Sequence, residues 1–158
     1  MNILILNWRD FKHPLAGGAE QSLLEHAKYW KKNGAHVQWF SSLFLGGAIK
    51  ESIDGIEYIR SGSHFTVHLN AFMYYRNHLK DSVDIIVDCF HGVPYFSPLF
   101  FHKKKIIALI NEPAKEVWFK NVAFPFSSIA YHLEPNFFKV YQKIPFITSA
   151  KSIADELR

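Results

Sequence analysis

Residues 2–34 contain a strand, a loop and a helix in succession, and they read NILILNWRDFKHPLAGGAEQSLLEHAKYWKKNG. Residues 3–6 are all apolar, without alternation, which is typical of a strand buried on both faces. One apolar helical face follows, because Ala19, Leu23, Ala27 and Trp30 recur at spacings of four, four and three. Gly34 is a natural helix end, so this stretch predicts a β-loop-α unit.

The same alternation of short apolar runs with helical patterns continues along the chain. Further strands are predicted at 37–40, 56–59, 85–87, 106–110 and 146–147. Helices are predicted around an apolar stripe of Phe65, Leu69, Phe72, Tyr75 and Leu79, over 127–142 with a kink or restart at Pro135, and over 150–157 behind an N-cap at Ser149. Strand–helix alternation predicts an α/β, Rossmann-like, doubly wound parallel sheet with helices on both faces.

Composition excludes several classes of protein. At 158 residues, 49% hydrophobic and 20% charged, the chain predicts a single folded domain over 1–158 and not a disordered segment. No apolar run approaches the ~20 residues that cross a bilayer. The formal net charge of +4 permits an anionic ligand but does not indicate nucleic-acid binding. The single cysteine, Cys89, favours a reducing, cytoplasmic setting.

Polar residues follow most of the predicted strands. In open α/β sheets ligands bind beyond the carboxyl ends of the strands, so these residues mark the expected edge of a site. The strongest local feature is the paired glycine loop, Gly17-Gly18, which opens the first helix. Glycines allow positive φ and close backbone approach, and a helix N-terminus favours phosphate. A flexible turn before a helix is the alternative interpretation, and Glu20 is explained by the helix dipole alone.

These segments together resemble glycosyltransferase family four, a family of retaining GT-B enzymes. The resemblance rests on the first strand, the Gly-Gly-Ala-Glu loop at 17–20, the helix ending Lys-Lys-Asn-Gly at 31–34, and the segments 84–94, 134–141 and 144–149. It extends over the whole chain. Members of the family have two Rossmann-like domains that face a cleft, and this chain resembles the N-terminal one, which mainly binds the acceptor.

The resemblance implies a function for the intact enzyme and places for its substrates. A sugar would move, with retained configuration and without a metal or other cofactor, from a nucleotide-sugar donor to a saccharide or lipid-linked acceptor. Gly17 and Gly18 would lie against the donor diphosphate or the transferred sugar. The donor would be bound by a C-terminal domain that these 158 residues lack. We therefore expect a longer protein, since the last predicted helix is only about two turns long, and we expect this part alone to be inactive.

No catalytic residue is assigned with certainty, and three candidates follow strands. Many members of the family carry a histidine at the end of the fifth strand, where this chain has Asn111 and then Glu112. Asn111 can hydrogen-bond a sugar hydroxyl but cannot act as a base. His91, after the fourth predicted strand, is the third candidate, with a structural role as its alternative.

Aromatic and basic residues supply the acceptor-side candidates, since aromatic rings stack on sugars and cations hold phosphate or carboxylate. These candidates are Trp8, Arg9, His13, Trp118 and Lys120, and for the tryptophans a place in the core is the alternative. His64 and His68 are four residues apart, but no third ligand accompanies them, so no metal site is expected.

The segment 96–105 combines Phe96, Leu99, Phe100 and Phe101 with His102 and three lysines. We expect a buried helix and a solvated loop here, and peripheral contact with the inner face of a membrane is the alternative. Two other functions remain open for the chain as a whole. It would then be a non-enzymatic Rossmann-like module that binds a small anion at Gly17-Gly18, or a protein-interaction module that uses its aromatic surface.

Overall fold

The structure is a computed structural model that describes residues 1–101, 103–111, 113–115, 117–149 and 151–156. The chain divides into two compact units, Met1–Val87 and Asp88–Arg158. The strands are β1 (Asn2–Leu6), β2 (His36–Ser41), β3 (Lys50–Ile53), β4 (Ile56–Arg60), β5 (Ile85–Phe90), β6 (Lys105–Ile110) and β7 (Phe146–Ile147). The helices are α1 (Gly18–Lys32), α2 (Val67–Tyr74) continued by a π-helical segment (Tyr75–Leu79), α3 (Ser97–Phe100), α4 (Val117–Asn121), α5 (Phe126–Val140) and α6 (Lys151–Glu156).

The strands form a seven-stranded sheet in the order β3-β4-β2-β1-β5-β6-β7. Strand β1 pairs with β2, β2 with β4, and β6 with β7, all in parallel. The order runs outward in both directions from β1 and β5, as in a doubly wound sheet. All six predicted strands are present, so the expected α/β, mostly parallel fold is confirmed.

Strand β3 was not predicted from the sequence. It pairs antiparallel with β4 through a two-residue turn, in which Asp54 and Gly55 have φ angles of 53° and 74°. An Asp-Gly pair at positive φ is a strong hairpin signal. The signal was overlooked because β3 begins Lys50-Glu51-Ser52 and therefore lacks the apolar run on which the other predictions rested.

In the first unit, the apolar stripe predicted for α2 and its continuation was right only at its C-terminal end. Tyr75 and Leu79 are buried, but Phe65 and Leu69 are 90% and 61% exposed, and Val67 and Ala71 are buried instead. Two apolar stripes compete in this segment, and periodicity identifies the helix without saying which stripe meets the core. Helix α1 follows its prediction more closely, because Leu23, Leu24 and Ala27 are buried.

The core of the second unit is aromatic. Phe90, Ala108, Ile110 and Tyr141 are buried together, and Phe138 and Phe146 pack against them. Helix α5 is continuous from Phe126 to Val140 with Pro135 inside it, so the predicted restart does not occur. Among the described residues, no helix has both the length and the apolar character that crossing a bilayer requires.

Candidate functional site

The paired glycines stand at the start of α1, where Gly17 is the N-cap and Gly18 the first helical residue. Neither has a positive φ, contrary to the conformational role expected from the sequence. A Cβ on Gly18 would meet nothing within 4 Å, and one on Gly17 would meet only Glu20 Oε2, at 4.0 Å. The fold therefore does not need glycine at either position. The glycines leave the backbone at the helix N-terminus uncovered.

A buried ion pair closes the loop that carries these glycines. Glu20 is fully buried, and its Oε2 accepts a 2.7 Å hydrogen bond from the Gly17 amide. Arg9 Nε lies 2.8 Å from Glu20 Oε1, and Arg9 Nη1 donates to the Leu15 carbonyl at 2.6 Å. Sequence reasoning assigned Glu20 to the helix dipole alone. The structure adds a specific contact that joins both ends of the loop.

Aromatic rings lie on the same loop. The Arg9 guanidinium lies 4.6 Å from the centre of the Trp8 ring, whose edge contacts are with His13 at 5.3 Å and His64 at 4.5 Å. Burial lowers the pKa of His13 below its ordinary value of 6.5, which favours its neutral form. Through Glu20, this chain of contacts joins four predicted site residues of the first unit, Trp8, Arg9, His13 and Gly17, and Gly18 follows Gly17 directly.

Asn7 is a candidate that the sequence prediction missed. It directly follows β1 and is fully buried. Neither the nitrogen nor the oxygen of its side-chain amide has a hydrogen-bond partner among the described residues. An unsatisfied buried polar group costs about 1–3 kcal/mol and calls for an explanation. Its sequence signal is a polar residue immediately after a strand that is otherwise buried and apolar.

A second ionic cluster in the first unit is structural. Asp10 Oδ2 accepts from Arg60 Nε at 2.5 Å and from Ser41 Oγ at 2.8 Å, and all three residues are buried. Arg60 Nη1 also donates to Glu51 Oε1 at 2.6 Å, and Lys12 Nζ donates to Glu51 Oε2 at 2.7 Å. The hydrogen bond from Lys12 lowers the pKa of Glu51. These residues come from distant segments, so no local spacing in the sequence announces the cluster.

In the second unit, a buried carboxylate organises the segment that contains His91. Asp88 accepts hydrogen bonds from the Tyr95 and Ser97 amides, at 3.0 and 3.1 Å, and from the Tyr141 hydroxyl. Burial raises the pKa of Asp88, since no described cation offsets the loss of water. Asp88 therefore has a structural role, and His91 lies half-buried beside this turn.

The Trp118 side chain is held by a second buried carboxylate. Its indole nitrogen donates to Glu134 Oε2 at 3.0 Å, and the Ala114 and Lys115 amides donate to the same carboxylate at 2.7 and 2.8 Å. A Cβ on Gly92 would lie 2.7 Å from the Trp118 ring. Trp118 thus serves the packing of the second unit, and a role in acceptor binding stays a prediction.

The remaining candidates of the second unit are less constrained. Lys120 is exposed on α4. Asn111 is half-buried, its Oδ1 accepts from Ser149 Oγ at 3.4 Å, and its buried Nδ2 has no hydrogen-bond partner among the described residues. Glu112 lies outside the described residues.

A groove of about 1190 Å³ runs along α5 in the second unit. Its lining includes Lys115, His132, Lys139 and the Glu134 carboxylate that holds Trp118, together with Tyr131 and Tyr141. Among the residues that the structure describes, no cluster of three or more histidine, cysteine, aspartate or glutamate side chains could hold a metal ion.

Comparison with known proteins gives a likeness in structure alone. No family model matches the chain, and no curated protein does. A solved structure of a dTDP-glucose 4,6-dehydratase from Bacillus anthracis str. Ames, in complex with NAD, aligns with 94% of this chain at 12% identity and a TM-score of 0.49. This chain spans about half the length of that protein, 53%. At this level of similarity the alignment supports no functional argument.

Proposed function

We propose that this chain is the acceptor-side domain of a retaining glycosyltransferase, with its Gly17-Gly18 loop against the diphosphate or transferred sugar of a nucleotide-sugar donor. The observation that carries the proposal is the uncovered backbone at Gly17 and Gly18. Glycine is needed there neither for conformation nor for packing, and a close approach by a ligand explains its presence.

The chemistry offered to a ligand at this loop is mainly that of backbone amides. The first N–H groups of α1 lack carbonyl partners within the helix, and the helix dipole favours a negative group beside them. The charge of Arg9 is balanced by Glu20, to which it is paired at 2.8 Å. Attraction of a diphosphate would therefore come from the helix N-terminus more than from Arg9.

On the acceptor side, Trp8 is the group best suited to a sugar. Arg9 covers one face of the Trp8 ring, so a sugar would stack on the opposite face. Transfer itself would depend on holding donor and acceptor together and on stabilising the leaving diphosphate.

The test places a side chain at Gly18, where the structure leaves open space beside the helix N-terminus. We expect Gly18→Val to leave the unfolding midpoint within about 2 °C of wild type, since the space is empty and the φ is not left-handed. Binding of inorganic pyrophosphate, the diphosphate group that this loop would contact, should weaken by about tenfold or more in an NMR titration. Ala48→Val, on an exposed residue of the same unit, is the control. Unchanged diphosphate binding in Gly18→Val would contradict the proposal.

One observation favours a second candidate, a binding module without transfer activity. The two carboxylates nearest the loop, Asp10 and Glu20, are both buried and ion-paired, so neither is placed as a general base. Such a module would bind a nucleoside diphosphate equally well. Release of nucleoside diphosphate from a nucleotide sugar, measured on the natural full-length protein with acceptor extracts, separates the two candidates.

A further inference from the structure

Helix α5 carries an apolar stripe that is only partly covered. Phe126, Ile129, Leu133 and Phe137 recur at spacings of three, four and four, which places them on one side of the helix. Phe137 is half-buried and meets the Phe96 ring edge-on, with the ring centres 5.3 Å apart. The other three are 68%, 52% and 46% exposed, in chain order.

The segment that meets this stripe at Phe137 is short. Phe96 directly precedes α3, which has four residues, about 6 Å of helix. Phe96 meets the last member of the stripe, and the four residues of helix that follow it cannot extend along the 15-residue α5. Leu99 and Phe100, on α3, are themselves 60% and 50% exposed, so the expectation of a buried helix at 96–101 was wrong for these two. We call the residues Leu99, Phe100, Phe126, Ile129 and Leu133 the α3–α5 face.

Lysines lie at one end of the α3–α5 face. Lys103 and Lys105 lie three and five residues after the end of α3 and are exposed. Ala108 pairs with Phe146 in the parallel contact between β6 and β7. Lys105 lies three residues before Ala108, and Lys143 lies three residues before Phe146, so both lysines are at the same edge of the sheet. We call Lys103, Lys105 and Lys143 the basic rim.

Acidic groups do not balance this rim. Between residues 88 and 149 the described residues include seven lysines and two carboxylates, and both carboxylates, Asp88 and Glu134, are buried. Glu112 and Glu116 lie outside the described residues. A second copy of the chain is a poor occupant, because a two-fold contact would bring the basic rim against itself.

We propose that the α3–α5 face docks on an anionic lipid bilayer, with its aromatic and aliphatic side chains in the interfacial region and the basic rim against the headgroups. Exposed Phe and Leu beside lysines suit a surface that is apolar below and negatively charged above. The described helices include none that could span the bilayer, so the contact is peripheral. The inference does not depend on any transfer activity.

Vesicle flotation tests the docking surface. The full chain should float with vesicles of phosphatidylcholine plus phosphatidylglycerol and stay unbound with phosphatidylcholine alone. The double variant Leu99→Ser with Phe100→Ser, and separately Lys103→Gln with Lys105→Gln, should each weaken partitioning by about tenfold or more. These side chains are exposed, so the unfolding midpoint should not change, which circular dichroism verifies.

Matched controls come from the first unit. Leu45→Ser with Ile49→Ser removes two exposed apolar side chains, and Lys31→Gln with Lys32→Gln removes two exposed charges. Both control variants should bind vesicles as wild type does. The proposal is overturned if the chain does not bind anionic vesicles or if it binds neutral vesicles equally well. It is also overturned if the face variants and the control variants lose the same amount of vesicle binding. Self-association without lipid that the face variants abolish would assign the face to a protein contact instead.

Discussion

Helices α1 and α5 have the same length, 15 residues, but they bury different kinds of side chain. Helix α1 buries Leu23, Leu24 and Ala27 and turns most of its charges to solvent. In α5 the only fully buried residues are Ser127 and Glu134, while Phe126, Ile129 and Leu133 are exposed. The comparison teaches that an amphipathic pattern can mark either the side facing the core or a side kept for another surface.

The reason lies in what each helix meets. In the first unit, α1 packs by the ordinary burial of aliphatic side chains, and Glu20 closes the loop before it. In the second unit, the Glu134 carboxylate collects three N–H donors from the segment 114–118 and so draws a polar side of α5 inward. Charge-assisted hydrogen bonds of this kind are among the stronger polar contacts in proteins.

The largest expected effect contrasts two leucines. Leu23→Ala in α1 should lower the free energy of unfolding by about 2–5 kcal/mol, because it leaves a cavity in a packed core. Leu133→Ala in α5 removes the same atoms from an exposed side and should cost under about 1 kcal/mol. Urea unfolding of both variants gives the two numbers. Equal losses would mean that α5 buries its apolar stripe in solution.

The next effect contrasts two glutamates. Glu134→Gln should cost about 1–3 kcal/mol, because the amide NH₂ would replace an acceptor and face at least one of the three N–H donors. Glu25→Gln in α1 affects an exposed side chain whose ion partner, Lys28, is 3.4 Å away, and should change stability by under about 0.5 kcal/mol. Thermal unfolding of the two variants measures the difference. If the Glu134→Gln protein is as stable as wild type, the Glu134 hydrogen bonds do not hold the polar side of α5 in place.

The smallest effect concerns pH. Tyr141, which ends α5, donates its hydroxyl to Asp88, whose pKa is raised by burial. A carboxyl with a raised folded-state pKa binds protons more readily when folded, so its contribution is fully present below about pH 4 and falls as pH rises through the folded pKa. Asp88→Asn should remove this part of the pH dependence. Urea unfolding of both proteins between about pH 4 and pH 7 tests it, and parallel profiles would show that Asp88 does not titrate there.

Much of the fold was predictable because buried parallel strands leave continuous apolar runs. Most of the six predicted strands are runs of this kind, and all six proved to be strands. Strand β3 escaped because an edge strand such as Lys50–Ile53 has a polar, half-exposed pattern and is recognised only by its Asp54-Gly55 turn. The buried residues at the start of α2, Val67 and Ala71, escaped prediction because this segment carries two apolar stripes.

The candidate site was predictable where residues are local in the sequence. Trp8, Arg9, His13, Gly17 and Gly18 lie within eleven residues, and the structure joins them through short contacts in the first unit. The roles of Asp10 with Arg60 and of Glu134 with Trp118 depend on segments 16 or more positions apart. Pairing over such distances has no local signature.

The amino-acid sequence alone determined the alternation of strands and helices, the polar residues beyond the strand ends and the place of the glycine pair, because each follows from local periodicity and backbone chemistry. Tertiary structure decided which charges are buried, which tryptophan is held by a carboxylate and which apolar stripe faces solvent. Those outcomes depend on what the rest of the chain places opposite each side chain. Burial and electrostatic pairing are properties of that arrangement, and the order of residues does not reveal them.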